Sequence, residues 1–125
     1  MLIAAAAAAA LLIAAAPATA GSAKSSLTII DAGVQNGSYA SIGIVESDEK
    51  ACVADRKVKF IVERPGGKEV LDVARTSDRG AWFSKVPESD YNEGGVAGTF
   101  YKLVPRKVKK GKGKIKCGGS KVGLA

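Results

Sequence analysis

Apolar and polar residues alternate with a period of two along most of the chain, and the three-to-four-residue spacing of an amphipathic helix is absent. "KVKFIVE" (Lys57–Glu63) is the clearest case. Val58, Phe60 and Val62 face one way and Lys57, Lys59 and Glu63 the other, the pattern of a strand with one wet face. The same reading predicts strands over Leu27–Asp31, Tyr39–Glu46, Glu69–Thr76, Ala81–Val86 and Thr99–Val104. A Lys-rich hairpin follows, turning at Gly111–Gly113 and returning to Cys117. Connections rich in Gly, Pro, Asn and Asp separate them: an Asn36-Gly37 turn, "SDEKACVADR", "RPGGK", "SDRG" and the longest loop, Pro87–Gly98. About seven short strands punctuated in this way predict an all-β, Ig-like or transthyretin-like sandwich of antiparallel strands. Its core candidates are Leu27, Ile29, Ile42, Ile44, Val58, Phe60, Val62, Leu71, Val73, Trp82, Val86, Tyr101 and Leu103.

The first twenty residues break this pattern. Leu2–Ala16 is an unbroken apolar run, Pro17 ends it, and "ATA" at Ala18–Ala20 offers the small residues a signal peptidase reads. The expectation is a secretory signal peptide over residues 1–20, cleaved after Ala20, with residues 21–125 as one exported domain. A helix over Leu2–Ala16 would be about 22 Å long, short of the roughly 30 Å hydrocarbon core, so it does not read as a membrane span. No Lys or Arg precedes the run. Either the amino terminus at Met1 supplies its positive charge or the chain starts upstream.

Export changes the reading of the two cysteines. An even pair in an oxidising compartment predicts a Cys52–Cys117 disulfide, which small domains use to supplement a modest core. A metal site is a poor alternative: the chain has no His, and two thiolates do not complete a zinc shell.

The net charge of +7 is unevenly spread. All twelve acidic residues lie between Asp31 and Glu93, and residues 94–125 hold nine Lys or Arg and no acid. Lys102, Arg106, Lys107, Lys109, Lys110, Lys112, Lys114 and Lys116 concentrate this charge on the hairpin. On a two-stranded ribbon Lys112, Lys114 and Lys116 would line one face, a comb able to grip a repeating polyanion. The other reading is a solvated edge that blocks sheet-to-sheet pairing. One Arg among eight cations and no interleaved aromatics argue against nucleic acid as the partner.

Catalytic chemistry finds no foothold in the sequence. Without His the commonest general base and metal ligand is missing, the serines have no recognisable base beside them, and the acidic clusters Glu46–Glu49 and Glu88–Glu93 fall in loops without lining aromatics. No enzyme activity, cofactor or metal is expected.

Two stretches carry a family likeness. "TSDRGAWF" (Thr76–Phe83) and "GTFYKLV" (Gly98–Val104) resemble the signature strands of carboxypeptidase regulatory-like, transthyretin-like β-sandwich domains, with Ser77 before Asp78 as a departure. The block from Cys52 to Phe83 is similar to small secreted bacterial proteins of that superfamily, in which a Cys before an "R-x-V" strand is matched by one after a Lys-rich hairpin. The resemblance spans roughly residues 39–119. It implies a non-catalytic extracellular accessory domain. Within "TSDRG", Asp78 is expected to accept a backbone hydrogen bond and Gly80 to take a positive φ; one carboxylate is too few for calcium.

Together these readings describe a secreted, monomeric, disulfide-stapled module that offers its hairpin to an anionic envelope polymer. The alternative is a module for another extracellular protein, using a sheet face, Tyr39 or the Tyr91 loop.

Overall fold

The computed structural model describes residues 21–124. The predicted signal peptide and its cleavage site at Ala20 lie outside the described residues. Within them the chain forms β1 (Ser22–Ala23), β2 (Ser25–Gln35), β3 (Ser38–Ser47), a 3-10 turn (Lys50–Cys52), β4 (Lys57–Arg64), β5 (Gly67–Arg75), β6 (Ala81–Pro87), helix α1 (Glu88–Asn92), β7 (Gly98–Leu103), β8 (Arg106–Lys110), β9 (Gly113–Cys117) and β10 (Ser120–Gly123). The all-β expectation holds, with ten strands among the described residues. β1 and β10 are the additions; the expected basic hairpin stands in a sheet of its own, and α1 interrupts the long loop.

A four-stranded sheet of order β10-β7-β4-β5 packs against a three-stranded sheet of order β2-β3-β6. Val58, Phe60, Val62, Ala74, Tyr101 and Leu103 from the first meet Leu27, Val45, Trp82 and Val86 from the second. The third sheet has order β1-β9-β8, with β1 parallel to β9. The Asn36-Gly37 turn forms as read: both residues have positive φ (50° and 79°), the type I′ geometry that matches strand twist in a two-residue hairpin.

Three core expectations fail, at Ile42, Ile44 and Val73. In β3 the inward residues are Ser41, Gly43 and Val45, which leaves Ile42 exposed and Ile44 half-buried on the outer face. The reason is Trp82, the cross-strand partner of Gly43. A Cβ on Gly43 would overlap both the indole and the Thr28 carbonyl, so the large ring sets the register and its neighbours must be small. Val73 is exposed because the pairing of β4 with β5 slips between Phe60 and Ile61. That bulge places Asp72 opposite Phe60, where its carboxylate accepts a 2.8 Å bond from the buried Ser84 hydroxyl of the facing sheet.

Tyr39 and Tyr91 close one end of the sandwich. Their rings stack 4.3 Å apart and continue through Phe60 and Tyr101 to Trp82. Burial raises the Tyr101 hydroxyl above its usual pKa, and that hydroxyl is hydrogen-bonded to Ser41 Oγ. Arg64 holds α1 in place by donating to the carbonyls of Asp90 (2.8 Å), Tyr91 (3.1 Å) and Gly95 (2.8 Å).

Candidate polyanion-binding surface

The basic hairpin is built from β8 and β9, whose register fixes which cations share a face. Arg106, Val108 and Lys110 stand opposite Cys117, Ile115 and Gly113; between them Lys107 pairs with Lys116 and Lys109 with Lys114. The first set faces inward. Ile115 and Cys117 are buried with Cys52, with Val108 and Ala23 packed beside them. The second set is exposed.

This register divides the eight candidate residues. Lys107, Lys109, Lys114 and Lys116 form the outward face and make no ion pair among the described residues. Lys112 sits in the turn, so the expected comb of Lys112, Lys114 and Lys116 is replaced by two opposed lysine pairs. Arg106 and Lys110 point the other way. Arg106 reaches Asp55, accepting partners being its carbonyl at 2.5 Å and its carboxylate at 3.4 Å, and Lys110 pairs with Glu49. The Lys110 contact pulls the Glu49 carboxyl below its ordinary pKa. Lys102 lies on β7, outside the hairpin, directly between Lys59 of β4 and Lys121 of β10.

Two devices hold the hairpin to the sandwich. The Cys52–Cys117 disulfide is present, with a Cα–Cα distance of 5.4 Å. Beside it Arg56 is fully buried. Its guanidinium donates to the carbonyls of Cys52 (2.7 Å), Val104 (3.0 Å) and Gly118 (2.8 Å) and to Ser25 Oγ (3.1 Å). No carboxylate pairs with it among the described residues. Burial, and then the nearby Arg106, pull its pKa down. Carbonyl dipoles take the place of a counter-ion, and one side chain joins the start of β2, the 3-10 turn and both links that enter and leave the hairpin.

Sequence reasoning passed over Arg56 as part of a polar connection. The signal was its spacing: Arg56 continues the inward parity of Val58, Phe60 and Val62. The "TSDRG" turn forms, and Gly80 has φ 88°. The oxygen that organises it belongs to Ser77, not Asp78: Ser77 Oγ accepts from the amides of Arg79 (3.3 Å) and Ala81 (3.1 Å), while Asp78 is exposed.

Among the described residues no three His, Cys, Asp or Glu side chains gather as a metal site requires, and no helix is long and apolar enough to cross a membrane. Compared with known proteins, the chain matches no family model, no curated protein and no solved structure.

Proposed function

We propose that this chain is an exported, non-catalytic β-sandwich module of the carboxypeptidase regulatory-like type that attaches to anionic polymers of a cell envelope through its basic hairpin. One observation carries the reading: Lys107 faces Lys116 and Lys109 faces Lys114 on a solvent-exposed ribbon, with no ion pair to any of the four among the described residues. Like charges placed opposite each other weaken a ladder, so the arrangement does not serve the hairpin's own stability. A polyanion threading between the two strands relieves the repulsion and releases its counterions. The disulfide, usual in oxidising compartments, supports export and keeps the ribbon fixed to the domain.

The test is retention of the oxidised protein on immobilised envelope polymer, compared with a variant carrying Lys107→Gln, Lys109→Gln, Lys114→Gln and Lys116→Gln. The reading expects retention at low salt for the wild type and its loss in the variant. Equal behaviour of two folded proteins would reject it.

A second reading draws support from the opposite side of the molecule. Ile42 (42% exposed) and Phe83 (56% exposed) are cross-strand partners on the outer face of the three-stranded sheet. An apolar pair of this kind suits a partner protein, and binding there would be indifferent to salt. Tyr39 and Tyr91, the other residues considered for that role, are half-buried and stacked on the core.

A further inference from the structure

The largest group of cations outside the hairpin lies on the outer face of the four-stranded sheet. Lys59, Lys102 and Lys121 occupy one row across β4, β7 and β10, each the register partner of the next. Lys57 and Arg75 pair in the row before. In the row after, Val70, Ile61, Phe100 and Gly123 stand side by side. Ammonium groups of Lys68 and Lys121 lie over the Phe100 ring, 5.6 and 5.3 Å from its centre. Alternation from these registers places one strand carboxylate on the face, Glu63 in the last row, and Asp55 pairs with Arg75 at 3.4 Å. None of Lys57, Lys59, Lys68, Lys102 or Lys121 makes an ion pair among the described residues.

Protection of an exposed edge explains lysines on outer strands, but β4 and β7 are the two central strands of this sheet. Lys59 and Lys102 therefore repel each other where no edge needs blocking. Such an arrangement weakens the sheet and has its use when a ligand arrives.

We infer that this face is a binding surface for a linear acidic polysaccharide. The inference rests on the reading of the chain as a polyanion binder and names both a second face and the polymer class. The lysine row spaces its backbone positions by the strand separation, about 4.8 Å. Val73 (46% exposed) ends that row opposite Lys59, and Val70 (47% exposed) stands in the next row opposite Ile61; the two form a short apolar strip. A pyranose chain with a carboxylate on its rings presents both chemistries at once: carboxylates to the lysine row, C–H faces to the strip. Polyphosphate has no apolar part to lay on the strip. Single-stranded nucleic acid stacks its bases on open aromatic faces, and the one aromatic here is topped by two ammonium groups.

The test uses the oxidised chain from residue 21, with fluorescently labelled polygalacturonate, inorganic polyphosphate and oligo-dT as probes at matched ionic strength. A sheet variant carries Lys59→Gln, Lys102→Gln and Lys121→Gln, and Val73→Ser alters the strip alone. The hairpin variant of the preceding section is the third arm. The expected results are a wild-type preference for polygalacturonate, a loss of at least roughly tenfold in the sheet variant, and a weakening by Val73→Ser confined to the sugar polymer. A sheet variant that folds and binds like the wild type overturns the inference, as does a preference for polyphosphate or oligo-dT. Loss confined to the hairpin variant excludes this face and leaves the hairpin reading standing. A wild type that binds no probe at low salt rejects both.

Discussion

Gly43 lies under the indole of Trp82, its cross-strand partner, with the Thr28 carbonyl against the same point. The contact leaves no room for a methyl group. Gly43→Ala should lower stability by about 1–3 kcal/mol through overpacking, measured by urea unfolding of the oxidised protein. An unchanged midpoint would mean that the ring relaxes without loss.

Arg56 answers three backbone carbonyls that no other described side chain reaches. Arg56→Met fills similar volume but leaves those acceptors buried and unpaired, an expected loss of at least about 2 kcal/mol. Arg56→Lys retains the charge and cannot span all four partners, so it should fall between. Urea midpoints of the three proteins check the order.

Among the described residues, the third sheet buries Ile115 and Cys117 against Cys52 of the 3-10 turn, with Ala23 and Val108 beside them. So small a cluster cannot hold a hairpin against lysine repulsion without its crosslink. Cys52→Ala with Cys117→Ala should cost up to about 4 kcal/mol on the chain-entropy argument. Hydrogen exchange should speed first at Val108 and Ile115, before Phe60 and Tyr101. Loss spread evenly over both regions would contradict that order.

Acid should reach the hairpin through Glu49. Its folded-state pKa is depressed by Lys110, so the pair's contribution is full above the unfolded value, about 4.3, and is lost as pH falls through the lower folded value. Exchange at Val108 should therefore quicken only below about pH 4. Glu49→Gln should show faster exchange already at neutral pH and no acid step attributable to this site.

Much of the fold could be read from alternation and turn chemistry. Lys57–Glu63 and the Asn36-Gly37 turn needed nothing beyond local pattern, and the cysteine pair followed from there being two cysteines in a chain read as exported. Ile42 and Val73 could not be read this way, because their facing is decided by Trp82 and by a bulge, both effects of tertiary packing. The site divides likewise. The charge of the C-terminal quarter is plain in the sequence. Which lysines point outward, and that Lys59, Lys102 and Lys121 form one row, depends on the register between strands far apart in the chain.

The most direct measurement is the affinity of the oxidised wild-type protein for anionic polymer as salt is raised from about 50 to about 200 mM. Release of counterions by several lysines predicts a fall of roughly tenfold or more over that range. Absence of binding at low salt, or an affinity that does not change with salt, would contradict a polyanion-binding role; the second result would direct attention to Ile42 and Phe83.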